Sequence, residues 1–179
     1  MAEMMPVDDA SLPLRGGRGP LASKVSALIE AWALLGGVSL LAVILINTIS
    51  VTGAYTLNMP FPGDFELTEM GICIAAFAFL PYCQLAGANV TADIFTEGAS
   101  QRWQAGFAFA ASVVAFLFAM LLLSRMWAGM LSKMEYVDTT TILQLPHWMA
   151  YVPILVSLGL LAIAAVMTLG DNWRAMRAR

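Results

Sequence analysis

Apolar residues fill four long windows of this chain, and polar residues collect between them. The first window opens at Ala31, and no charged residue occurs from there through Gly63. A spanning helix needs roughly 20 mostly apolar residues to cross about 30 Å of hydrocarbon. The pattern predicts spans over about 31–51, 67–88, 103–124 and 148–169. Pro60, Pro62 and Gly63 break the chain after the first span, as proline and glycine do in turns. Pro81 falls inside the second span, where it removes one backbone hydrogen bond and is expected to kink the helix. The third span lies between Arg102 and Arg125, and its phenylalanines read as packing or lipid-facing residues. Arg125–Gln144 reads as a connection outside the bilayer. Pro146 suits a helix start, and Trp148 and Tyr151 suit the membrane–water interface.

A shorter pattern precedes the first span. Leu21, Val25, Leu28, Ile29 and Trp32 recur at the spacing of one helical face. This stretch is expected to form an N-terminal amphipathic helix lying in the membrane interface. The alternative is a simple extension of the first span into water. The fold class expected is therefore an all-α membrane protein with four transmembrane helices plus that interfacial helix. Residues 1–20 read as a flexible cytoplasmic tail, 21–170 as the membrane domain and 171–179 as a basic cytoplasmic tail.

Composition agrees with the pattern: 60% of the 179 residues are hydrophobic and 12% charged, about half the charged share of a soluble domain. Placement of charge says more than its net value of −3. Arg15, Arg18, Lys24, Arg102, Arg174, Arg177 and Arg179 fall on one side of the predicted topology, against Arg125 and Lys133 on the other. Lys and Arg favour the cytoplasmic side, so both termini are expected there, and the acidic Asp64–Glu69 region faces outward.

Little catalytic chemistry is visible. His147 is the one histidine, which disfavours a bundle holding two haems. Cys73 and Cys83 lie within one apolar segment and read as buried, inert thiols. No Walker A or HExxH motif occurs. No cofactor, no metal and no nucleic-acid partner is expected. The cores of the four spans lack charge, which disfavours a self-sufficient transporter. The residues favour an accessory subunit packed against a larger membrane partner.

The run Pro60-Phe-Pro-Gly-Asp-Phe-Glu-Leu-Thr-Glu69 and the later Phe79-Leu-Pro-Tyr-Cys-Gln84 resemble the small membrane subunit of tripartite ATP-independent periplasmic (TRAP) transporters. So does Gly87-Ala-Asn-Val-Thr-Ala-Asp-Ile-Phe95, and the entry Leu145-Pro-His-Trp148 fits that family's last helix. The resemblance covers roughly 31–170. It implies a scaffold that pairs with a large multi-span subunit carrying the sodium and substrate sites. A periplasmic binding protein would deliver the substrate, often an organic acid, and lipid would surround the whole. Many members carry an Arg-Tyr pair after the first span; here Thr52-Gly-Ala-Tyr55 has no arginine to bridge to Glu66 or Glu69.

On this reading Asp64, Glu66 and Glu69 are candidates for docking or partner contact, with Glu69 alternatively a helix-end stabiliser. Gln84, Asn89 and Asp93 are candidates for helix-end or subunit contact. Two other functions remain open. A membrane-bound redox protein predicts a chromophore or reactive thiol. A small homo-oligomeric exporter, with Glu69 as its proton-coupling carboxylate, predicts transport by this chain alone.

Overall fold

A chain with these apolar windows satisfies its backbone in lipid by forming helices. The computed structural model, which describes residues 20–86, 101–136 and 138–177, is built of four: α1 (Pro20–Leu57), α2 (Asp64–Leu85), α3 (Gln101–Glu135) and α4 (Trp148–Arg177). All four are long and apolar enough to cross a membrane. The described residues contain no strand beyond a single bridge between Thr139 and Pro146.

At 1.5 Å per residue α2 is about 33 Å long, close to the hydrocarbon thickness. The others run to about 57, 52 and 45 Å and must project beyond the bilayer or tilt. Three expected boundaries are corrected. Arg125–Glu135, read as part of a connection, continues α3. Asp171–Arg177, read as a tail, continues α4. Leu21–Trp32 is no separate interfacial helix: it is continuous with α1. Of its expected face, Val25, Ile29 and Trp32 pack with Leu85, Leu160 and Ala164, while Leu28 is exposed. An apolar stripe meets whichever apolar surface is available, and here the protein supplies it.

The helices do not close into a bundle. α2 and α4 form a central pair, α1 packs on α2, and α3 packs on α4. Between lipid-soluble helices the hydrophobic effect gives no drive to associate, so close packing by small residues supplies it. Ala75, Ala78, Ala119, Ala164 and Ala165 are accordingly buried. Gly36 meets Ala75 and Ala78, and Gly71 meets Val43, so α1 and α2 approach through missing side chains. A second cluster joins Ala119 of α3 to Ile154, Leu158 and Leu161 of α4, with Cys73 and Phe77 of α2 against it. Pro81 and Pro153 lie inside α2 and α4, and Pro81 is fully buried.

Polar pairs fasten the same contacts. Trp32 Nε1 donates to Ser157 Oγ at 2.9 Å, joining α1 to α4. Asn47 Nδ2 donates to Thr68 Oγ1 at 2.7 Å, and Ser39 Oγ to the Gly71 carbonyl at 3.3 Å, joining α1 to α2.

Candidate functional site

Two loops meet where α1 ends, α2 begins and α3 turns into α4, and this end carries most of the candidate residues. Gly63 makes the turn into α2 with φ +82°, a conformation that glycine adopts without penalty. The adjoining helix start is acidic, as the positive end of the helix dipole favours.

Asp64 is used locally. Its Oδ2 accepts from Ser50 Oγ at 2.6 Å and its Oδ1 from the Phe65 amide at 2.8 Å. Ser50 is buried, and its hydroxyl also accepts from the Phe61 amide at 3.2 Å. One serine thus ties the last turns of α1 to the turn that follows it.

Glu66 reaches across to the α3–α4 loop. Its Oε1 accepts from the Ile142 amide at 2.7 Å and its Oε2 from the Leu143 amide at 2.9 Å. A carboxylate receiving one N–H on each oxygen is a strong, directional clamp. It needs no arginine, so the missing Arg-Tyr pair leaves Glu66 satisfied. Beside the clamp, the Leu143 side chain fills the space over Gly63.

The clamped loop is braced from within. The Thr140 amide donates to the Leu145 carbonyl at 2.9 Å, and the Leu145 amide to Thr140 Oγ1 at 3.0 Å. Lys133, in the last turn of α3, pairs with Asp138. That ammonium donates to Asp138 and holds its carboxyl below the usual carboxylate range. The His147 amide donates to the Asp138 carbonyl at 3.1 Å, and Nδ1 lies 3.3 Å from the same oxygen. This fits the tautomer with its hydrogen on Nδ1.

Glu69 differs from its neighbours. It is exposed, one turn beyond the dipole-stabilised start of α2, and accepts no hydrogen bond and joins no ion pair among the described residues. Gln84, at the other end of α2, is buried and donates to Thr168 Oγ1 of α4 at 3.1 Å. The structure therefore brings Asp64 and Glu66 into one braced end, leaves Glu69 facing out and places Gln84 inside the helix packing. Asn89 and Asp93 lie outside the described residues. Cys73 and Cys83, expected to be buried, are half-buried free thiols.

Sequence reasoning missed Ser50, Thr140, Ser157 and Thr168. Ser50, Ser157 and Thr168 are hydroxyls within apolar helices, where a partner on another element is the usual arrangement, while Thr140 bonds within its own loop. That rule names the first three as bonded without naming the partner.

Four apolar helices with an acidic, hydrogen-bonded end match a family description, "Tripartite ATP-independent periplasmic transporters, DctQ component", over residues 24–175. The chain belongs to this family. It is the small membrane component of a TRAP transporter, and DctQ is a family of transporter components rather than of enzymes. The match takes in all of α2 and α3 and nearly all of α1 and α4. DctQ components work with a large membrane subunit and a periplasmic binding protein. No curated protein and no solved structure matches the chain.

Proposed function

We propose that this chain is the scaffold subunit of a sodium-coupled, binding-protein-dependent importer of small organic acids. The observation that carries the reading is the family match over residues 24–175, on four helices tied to one another by inward polar pairs. The large multi-span subunit would carry the sodium and substrate sites, and this chain would give it a fixed support in the bilayer. The Lys and Arg distribution supports an inner-membrane topology with both termini cytoplasmic. The Glu66 clamp and the 138–147 loop then face the periplasm, where the binding protein arrives. Asp64 and Glu66 would shape that end, and Glu69 would contact a partner. Gln84, Asn89 and Asp93 would order the cytoplasmic end of α2 and the turn after it.

The test is to purify the chain, tagged at its C-terminus, from native membranes in mild detergent. A stoichiometric multi-span protein is expected with it. The reconstituted pair and its binding protein should take up an organic acid only under an inward sodium gradient. A chain that runs alone or as a homo-oligomer after gentle extraction refutes the scaffold reading. A visible absorption band on the purified chain would instead favour the redox alternative.

A further inference from the structure

The exposed flank of α2 carries one continuous stripe. Gly71, Ala75 and Ala78 turn toward α1, and Cys73, Phe77 and Gln84 toward α4. What remains outward is Phe65, Glu69, Ile72, Ala76 and Leu80. The spacing is 4, 3, 4, 4, a single stripe along nearly the whole helix.

A flank that faced only lipid would have no use for a carboxylate. α2 has no spare length to lift Glu69 out: the helix only just spans the hydrocarbon, and Glu69 stands five residues in from Asp64, about 7.5 Å along the axis. Glutamate's short stem cannot snorkel as lysine or arginine does. Ionisable groups on spanning segments are expected to pair or to face a protein interior. Nothing in the described chain offers that pairing. Lys133 is taken by Asp138, neither Lys24 nor Arg125 pairs with Glu69, and the group facing Glu69 from one turn along is the Cys73 thiol. Below the carboxylate, Ala76 leaves a shallow step, the kind of small residue that lets another helix come close.

We propose that this stripe is the seat of a membrane-spanning helix of the large subunit, and that Glu69 there receives an arginine or lysine from that helix. The proposal rests on the scaffold reading and says which face of the scaffold does the work. The negative charge at one end of an apolar stripe fixes the chemistry of the occupant, since a cationic side chain is what the stripe lacks. Ile72, Ala76 and Leu80 supply the apolar remainder of the seat, and Glu69 sets the register of the incoming helix.

The test uses the co-expressed complex. A photo-activated cross-linking residue placed in turn at Ile72, Ala76 and Leu80 is expected to join the large subunit. Adducts with lipid alone, or with a second copy of this chain, overturn the proposal. In parallel, Glu69→Lys is expected to lower recovery of the large subunit at least about tenfold, with Glu69→Gln intermediate, because a reversed charge leaves two cations facing each other. Circular dichroism and a monodisperse elution profile establish that each variant is folded. Changing the basic residue that lies nearest the Ile72 cross-link on the captured helix of the large subunit to glutamate should restore pairing with Glu69→Lys. If the wild-type chain retains the large subunit but neither the cross-links nor the charge reversal touch it, the stripe is not the seat and the scaffold reading stands. If the wild-type chain retains no large subunit, both fall together.

Discussion

Adding one methyl group at Gly71 places an atom where α1 already lies. A Cβ there would stand 2.3 Å from Val43 Cγ2 and 3.8 Å from Ser39 Oγ. Carbon atoms rest at about 3.5–4.0 Å, so the helices must part by roughly 1 Å or more, or Val43 must move. Val43 cannot easily move. It is 7% exposed, and a valine in a helix keeps one strongly preferred rotamer. Parting the helices also lengthens the Ser39–Gly71 hydrogen bond, already 3.3 Å, and pulls on the Asn47–Thr68 pair one turn away. Overpacking of this kind typically costs about 1–3 kcal/mol, and Gly71→Ala should lie in that range.

Val43→Ala removes the atom in conflict. The double variant should therefore be more stable than the two single costs added together predict, by about 0.5–3 kcal/mol of coupling. The assay is unfolding of the purified chain by titration of sodium dodecyl sulfate into a mild detergent, followed by tryptophan fluorescence and far-ultraviolet circular dichroism. A Gly71→Ala chain as stable as its parent, or a Val43→Ala change that gives no relief, would refute the claim that α1 and α2 meet through the missing side chain.

Other outcomes follow from the same geometry. Gly63→Ala meets two penalties, a left-handed backbone costing about 1–2 kcal/mol and a Cβ 2.5 Å from Leu143 Cγ; Leu143→Ala should relieve the second penalty and leave the first, as read from denaturation midpoints. Glu66→Gln keeps one acceptor oxygen where two are used, so either the Ile142 or the Leu143 amide loses its partner and should exchange its hydrogen faster, measured by amide exchange. Asp138 has a lowered folded-state pKa, so its tie to Lys133 stabilises the loop fully above the ordinary carboxylate range and is lost as pH falls through the folded value. Amide exchange over 138–147, corrected for intrinsic rates, should therefore be flat near neutrality and rise only in acid, and a rise already at pH 6–7, well above the ordinary carboxylate range, would contradict this. A double-mutant cycle of Trp32→Phe with Ser157→Ala should give a coupling of about 0.6 kcal/mol and not much above about 1.7, as for hydrogen bonds between other membrane helices.

The spans were legible because charge is absent from long windows, and the break at Pro60–Gly63 because proline and glycine punctuate a chain. Helix ends were less so. Arg125 looked like a boundary, yet arginine is a good helix former, and the Met-Trp-Ala-Gly-Met-Leu run after it lets α3 continue to Glu135. The last span was expected to end near 169, but the residues after Gly170 include alanine, arginine and methionine, and α4 runs through to Arg177. Of the face expected over Leu21–Trp32, Val25, Ile29 and Trp32 pack on neighbouring helices while Leu28 stays exposed, since periodicity does not say which surface a stripe meets or how wide the contact is. The Glu66 partners were beyond reach: they are backbone amides 76 and 77 residues away, and backbone donors leave no mark in a sequence.

The disposition of polar groups argues for what the fold is for. A transport path needs polar or ionisable groups turned inward near the midplane, around a space that water or substrate can enter. In the described residues, Trp32, Ser39, Asn47 and Gln84 turn inward to bond a neighbouring helix, so they close contacts rather than line a path. A groove of about 370 Å³ between α1, α2 and the start of α4 is bordered by Val43, Ile46, Leu67, Met70 and Met149, and its hydroxyl, Ser39, is turned onto the Gly71 carbonyl. Glu69, which accepts no hydrogen bond among the described residues, points the other way, off the outer flank of α2. Helices fastened to one another by these inward pairs, with a carboxylate turned outward, make a stiff support with a marked side. Under the proposed scaffold role, such a support would bear against the large subunit without moving itself. On this account the clamp of Glu66 on Ile142 and Leu143 matters for the same reason: it joins the start of α2 to the α3–α4 turn, so a load applied at one helix is shared by the others.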